Sequence, residues 1–197
     1  MTRPLNILAF AGSTRNESLN KKLAVLASET AETAGAVHVT WADLRDYPIP
    51  LYDGDYEEQF GLPPAALKLR SLLQSHDALL IASPEYNGFP SPLLKNTLDW
   101  LSRPFNNEER HVVFKDKPVL LLAATRGEAG GRRGLAQLRL LLGNLKAASF
   151  EQEFVLPKGN EALDALGRLR DPDQQRQLAD VVTAFVGHVR ERQSVTA

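Results

Sequence analysis

A chain of 197 residues with 43% hydrophobic composition can bury a full core, and it reads as one domain spanning residues 1–197. A formal net charge of −1 leaves no electrostatic footprint for nucleic acid or an anionic membrane, and no apolar run is long enough to span a bilayer. With no cysteine, disulfides, thiolate metal sites and a cysteine nucleophile are excluded; with no export pattern, the expected location is cytoplasmic.

The first apolar run, Leu5–Ala11, predicts a strand covered on both faces. A polar loop follows, and Ser18 can cap a helix whose Leu19, Leu23, Leu26, Ala27 and Ala31 share one face. Val37–Trp41 mixes polar and apolar residues, as a rim strand does. Asp43–Pro64 is a long connection rich in Pro, Tyr, Asp and Gly, and a helix over Ala65–Gln74 comes next. Ala78–Ala82 is a second continuous apolar strand. Ser91-Pro92 then opens a helix reaching about Ser102. Its Leu93, Leu94, Leu98, Trp100 and Leu101 spread over more than one face, which predicts packing on the sheet and on a partner subunit. Val119–Ala124 is the third continuous strand and Ser149–Val155 the second rim strand. Asp171, with Pro172 at the first helical position and Gln174 placed to complete a capping box, starts a last helix along Leu178, Val181, Val182, Phe185 and Val189. Three interior and two rim strands alternating with helices make an α/β fold: a doubly wound, five-stranded parallel sheet of order 2-1-3-4-5, helices on both faces.

In such a sheet, ligands bind beyond the carboxyl ends of the strands, where strand order reverses. Three loops of unusual composition fall there. The first, Gly12-Ser13-Thr14-Arg15-Asn16-Glu17-Ser18-Leu19-Asn20, combines hydroxyls, an arginine and the open amides of a helix start, which suits a phosphate dianion. It lacks the Gly-Lys-Ser/Thr ending of a nucleotide-binding P-loop and the later glycines of the dinucleotide fingerprint, so a terminal monophosphate fits best. Ser13 and Ser18 would donate hydroxyl hydrogens, Asn20 its amide and Arg15 a charge-assisted pair. The second loop, Ser83 to Pro92, is dense in proline, aromatics and turn formers; the third, Thr125 to Arg132, has glycines that let backbone approach a flat ligand.

Each feature has a plainer counterpart. Ser13, Ser18 and Asn20 fit a helix cap as well as a phosphate site, and Pro84–Pro92 could be a rigid connection. Gly127, Gly130 and Gly131 alone mark a turn. Trp41 and Trp100 read as core or interface, and Arg132, Arg133 and Arg139 as a solvated helix face beside acids. His38, His76, His111 and His188 are scattered without ligand spacing, so no metal is expected. The 103–111 loop reads as surface, with a lid or subunit contact as its alternative.

Taken together, Gly-Ser-x-Arg-x-x-Ser-x-Asn after strand one, Pro-Glu-Tyr-Asn-Gly after strand three with Leu94-Lys95-Asn96-Thr97-Leu98-Asp99-Trp100 behind it, and Gly-x-x-Gly-Gly after strand four resemble the NAD(P)H-dependent FMN reductases of flavodoxin-like fold, which include chromate, quinone and azo-dye reductases. The resemblance spans roughly residues 5–155. It implies an FMN whose phosphate is held at Ser13, Arg15, Ser18, Leu19 and Asn20, and whose ring lies against Pro84, Glu85, Tyr86, Asn87 and Gly88, with Thr125 and Gly127 beside it. Arg126 is left open, toward a nicotinamide phosphate or toward solvent.

The activity so implied takes hydride from NADPH or NADH and passes electrons, by a ping-pong sequence, to a quinone, azo compound, free flavin or metal oxyanion. No catalytic side chain is named, because backbone groups of Glu85, Tyr86, Asn87 and Gly88 near the ring suffice for a cofactor-driven reaction. The resemblance also implies a homodimer or homotetramer. Two other classes stay in view: a non-enzymatic electron carrier, which near-neutral charge disfavours, and a cofactor-free binding or regulatory protein of the same fold.

Overall fold

A computed structural model of the chain describes residues 3–196. In chain order its elements are β1 (Leu5–Ala11), α1 (Leu19–Thr33), β2 (Val37–Ala42), α2 (Gly54–Phe60), α3 (Pro64–Ser75), β3 (Ala78–Ala82), β4 (Glu85–Tyr86) and β5 (Phe89–Pro90). They continue with α4 (Pro92–Leu101), β6 (Pro118–Ala124), α5 (Arg132–Asn144), β7 (Ala148–Leu156), α6 (Gly159–Ala162) and α7 (Pro172–Thr196). Five strands form one parallel sheet in the order β2-β1-β3-β6-β7. This is the flavodoxin-like order expected from the sequence, with the small antiparallel β4–β5 hairpin inserted after the third sheet strand.

Strand alternation sorts the interior into two layers. Leu5, Ile7, Ala9 and Ala11 of β1, Leu80 of β3 and Leu120 and Leu122 of β6 face α1 and α7, meeting Leu23, Ala27, Val182 and Phe185. Leu8 and Phe10, Leu79 and Ile81, and Leu121 face the other way, onto Leu69 and Leu73 of α3, Leu94 and Leu98 of α4, and Leu135 and Leu138 of α5. Both faces of the three central strands are therefore apolar, which is why those strands read as unbroken hydrophobic runs. The rim strands β2 and β7 keep partly exposed residues. Along β7 the register slips: Val119 pairs with Ser149 but Leu121 with Glu153, so the rim strand bulges outward over Phe150–Gln152.

One sequence reading is extended and one corrected. On α4, read as packing on the sheet and on a partner subunit, Asn96 and Trp100 are covered by the chain's own Asp43–Pro64 connection. There the Pro50 carbonyl accepts from Asn96 Nδ2 and Trp100 Nε1, each at 2.8 Å, and Asn96 Oδ1 accepts the Tyr52 N–H at 2.8 Å. Tyr52 and Tyr56 stand edge-on to the fully buried Trp100. The connection is thus a fastened segment containing a 3-10 turn at Leu44–Asp46 and α2. At the start of α7, the Asp171 carboxylate accepts the Asp173 N–H at 2.9 Å, but Gln174 makes no return bond and its Oε1 is buried without a partner. The reciprocal half of that capping box is absent. Among the described residues no helix is long and apolar enough to cross a membrane.

Candidate functional site

The three loops meet at the carboxyl edge of the sheet, around a cleft of about 290 Å³. Of the residues expected there, Ser13, Arg15, Ser18, Leu19, Asn20, Pro84, Glu85, Tyr86 and Thr125 line it. Asn87 and Gly88 stand off the cleft wall at the tip of the β4–β5 hairpin, and Gly127 lies two residues beyond Thr125. Glu17, Ala124, Arg126 and Asn160 complete the lining. A larger depression, about 660 Å³, lies at the opposite edge around Arg3, Asp77, Asp116, Pro118 and His188. Its Arg3 and Asp77 neutralise each other, and it faces the amino ends of the strands, so topology favours the smaller cleft.

The first loop is fixed from three sides. Gly12 sits so close to α4 that an added Cβ would meet Leu94 Cβ at 2.9 Å and Ser91 Oγ at 3.0 Å, while the Ser91 hydroxyl donates to the Gly12 carbonyl at 2.6 Å. Asn20 is locked to the last residue of β6, its Nδ2 donating to the Ala124 carbonyl and its Oδ1 accepting the Ala124 N–H, both at 2.9 Å. Through this pair Asn20 positions the loop, and the second hydrogen of its Nδ2 is left over for the donor role read from the sequence. Arg45, which sequence reasoning missed, donates to the Asn16 side chain at 2.5 Å and to the Thr14 carbonyl. Its signal was faint: one arginine among many, just past the rim strand. Asp43 anchors the same corner, accepting from Lys21 Nζ at 2.6 Å and from the Arg45 N–H at 3.0 Å. Burial opposes the charge on Asp43, but these hydrogen bonds and neighbouring cations hold its carboxyl below the ordinary value.

What stays open on this loop is donor capacity. Ser13 and Ser18 are buried and use only their oxygens, accepting from the backbone N–H groups of Arg15 and Lys21 at 3.3 Å each, so both hydroxyl hydrogens are free. Leu19 and Asn20 are the first two helical residues of α1, and their N–H groups have no intrahelical partner. The Arg15 side chain makes no hydrogen bond or ion pair with any described residue. The acids on the rim are already paired, Glu17 with Lys22 and Glu128 with Lys158. An anion placed here meets hydroxyls, amides, a guanidinium and the positive end of a helix.

The second loop is a tight hairpin. Asn87 and Gly88 have φ of 53° and 83°, the pair of left-handed residues a two-residue turn requires. Asn-Gly suits such a turn, although the strands it joins are only two residues long. The Glu85 side chain turns away to α5, where its carboxylate accepts the Gly134 N–H at 2.9 Å and an Arg133 N–H at 3.0 Å. Tyr86 is half exposed beside the cleft.

In the third loop, Gly127 has an ordinary φ and open space where a Cβ would stand. Nothing in the protein's own packing demands glycine there, so the bare backbone leaves room for a flat ligand. Asn160, on α6 after the rim strand, was also missed; α6 reaches the cleft because the Gly159 N–H donates to the Thr125 carbonyl at 2.8 Å. Arg126 lines the cleft with its head exposed. Among the described residues no three His, Cys, Asp or Glu side chains gather as metal ligands. Of the three α5 arginines, Arg133 and Arg139 are engaged, Arg139 with the Phe150 carbonyl at 2.6 Å and Glu153 at 3.0 Å.

The same chain matches known proteins along nearly its whole length. The NAD(P)H-dependent FMN reductase of Pseudomonas aeruginosa is 34% identical over 179 residues, covering 90% of this chain and 91% of that one. A 2-hydroxy-1,4-benzoquinone reductase from Burkholderia is 30% identical, covering 95% and 98%. Among solved structures, the flavoenzyme NAD(P)H:acceptor oxidoreductase FerB of Paracoccus denitrificans superposes with a TM-score of 0.80 at 26% identity, covering 95% of this chain and 98% of its own. The profile of the NADPH-dependent FMN reductases covers residues 5–161, from the first residue of β1 into α6 and so across all three loops of the cleft. With the cleft's open anion donors lying inside that match, the chain belongs to the NADPH-dependent FMN reductase family and is an oxidoreductase.

Proposed function

We propose that the chain binds FMN across this edge and uses it to pass electrons from NADPH or NADH to a quinone-class acceptor in a ping-pong sequence. The observation that carries the reading is a contrast among the helix starts around the cleft. At α4, Pro92 removes the first N–H and Ser91 accepts from Leu94; at α5, Glu85 closes the first turn. At α1, two amides, two hydroxyl hydrogens and Arg15 are left open together. A phosphate belongs at α1, which directs the ring toward Pro84–Gly88, Thr125 and Gly127.

When bound, FMN supplies the two-electron chemistry, accepting hydride from a nicotinamide and releasing it to an oxidant. The chain's own residues hold and orient. Ser13 and Ser18 donate to the phosphate and Arg15 neutralises it, while Asn20 ties that loop to β6 and Arg45 ties it to the turn after β2. The hairpin offers backbone N–H groups to the polar edge of the ring, and the glycine at 127 leaves a face clear for stacking. Relatives of this chain include proteins described as benzoquinone and quinone reductases, which supports a quinone acceptor here.

The test is an absorption spectrum of purified protein loaded with FMN, followed anaerobically on adding NADPH and then a benzoquinone. Flavin bands that bleach with the nucleotide and return with the quinone, each half-reaction proceeding without the other substrate, are the expected result. Bands that bleach only when a separate reductase is supplied would instead assign an electron carrier.

A further inference from the structure

We propose that Glu85 is the positioning residue for the ring end of this site: its carboxylate buckles the β4–β5 hairpin to the start of α5. The inference rests on the flavin placement proposed above and assigns the part played by this one side chain.

The hairpin cannot hold itself. It has two residue pairs, Glu85 with Pro90 and Tyr86 with Phe89, and Pro90 has no N–H to give. Phe89 is 58% exposed, so little apolar burial secures that arm. Glu85 supplies the missing attachment. Its side chain is only 9% exposed, whereas Arg133 beside it is 75% exposed, so the buried anchor is the bond to the Gly134 N–H.

The start of α5 is shaped to receive that carboxylate. The residue before the helix is Gly131, with φ of 97° and no side chain to serve as a cap. Gly134 is the third helical residue, where a capping oxygen normally bonds, and the oxygen comes from Glu85, 49 residues away in sequence. A Cβ on Gly134 would meet Glu85 Cβ and Cγ at 3.1 Å each and the Phe89 carbonyl at 3.3 Å. Glu85, Gly131 and Gly134 are thus fitted to one contact. A carboxylate is the right group, because it also meets the positive end of the α5 dipole. Since successive strand residues point to opposite sides, anchoring Glu85 on α5 turns Tyr86 away from α5.

The experiment compares FMN with riboflavin on the wild type, Glu85→Ala, Glu85→Gln and Arg15→Ala, by fluorescence titration and absorption of the bound flavin. Glu85→Ala is expected to weaken both flavins by about tenfold or more, to keep the wild-type ratio of their dissociation constants, and to blur the vibrational structure of the bound flavin band. Glu85→Gln, which keeps an oxygen for Gly134 but loses the charge, is expected between the two. Arg15→Ala should instead collapse the ratio, because it acts at the phosphate. Flavin affinities and spectrum unchanged in Glu85→Ala overturn the inference, even if the apoprotein melts earlier; so does a loss confined to FMN. If Glu85→Ala does not fold, the same ratio and spectrum in Glu85→Gln decide. If the wild type binds neither flavin, the flavin placement falls first and this inference with it, an outcome distinct from the variant failing alone.

Discussion

The helices α1 and α5 begin at the same edge of the same sheet, yet their first turns are finished in opposite ways. The first turn of α5 is closed by Glu85, a carboxylate from a different loop that satisfies an amide and meets the dipole. The first turn of α1 is closed only at Lys21, by Ser18, and keeps its first two amides with Arg15 nearby. A helix dipole alone therefore does not define an anion site. What matters is whether the protein has already answered it with a charge of its own.

Substitutions can break this contrast, and the largest effect is expected at the start of α5. Gly131→Ala forces a Cβ to within 2.7 Å of Ala123 Cβ at a φ of 97°. It should cost about 3 kcal/mol, roughly 6–12 °C in melting temperature, read by calorimetry of the apoprotein. Next comes Arg15→Ala. Removing a charge-assisted contact should raise the dissociation constant for FMN by about 30-fold, with the apoprotein melting as before. An unchanged constant in a fluorescence titration would remove Arg15 from the site.

Gly127→Val sharpens the picture at the other end. Open space surrounds that position, so folding should tolerate the side chain while a ring lying there would not; FMN affinity should fall about tenfold at constant melting temperature. Ser18→Ala removes the only side-chain cap of α1 and should cost about 1 kcal/mol in urea denaturation, with a smaller loss of FMN affinity than Arg15→Ala. The smallest effect is pH-linked. The Asp43 carboxyl is held below its ordinary value in the folded state, so its contribution is complete above the usual carboxylate range and disappears as pH falls through the lowered value. Asp43→Asn should therefore destabilise at pH 7 by no more than about 1 kcal/mol, and the difference from wild type should shrink as pH falls below the usual carboxylate range.

The central layers were legible because burial on both faces leaves an unmistakable trace. Leu5–Ala11 and Ala78–Ala82 match the observed strands residue for residue, and Val119–Ala124 misses only Pro118. The caps Ser18 and Ser91 were equally visible, being local chemistry. What sequence could not reveal is contact between segments far apart in the chain. Asn20 reads as a ligand donor, and nothing local shows that its amide also pairs with a backbone 104 residues away. The spread of apolar residues on α4 did not reveal that the chain's own residues near Pro50 cover Asn96 and Trp100. Glu85 and Gly134 looked unrelated until the hairpin folded onto α5.

The irregular stretch of β7 has one more consequence. At Phe150–Gln152 the outer strand leaves its regular ladder, and Arg139 holds the Phe150 carbonyl while the Phe150 ring lies 5.5 Å from Phe185. A sheet whose border is interrupted in this way offers a poor template for zipping onto the border of a second molecule. At this border, then, the ladder ends with β7, and what β7 presents to its surroundings is the kinked stretch rather than a flat row of backbone groups.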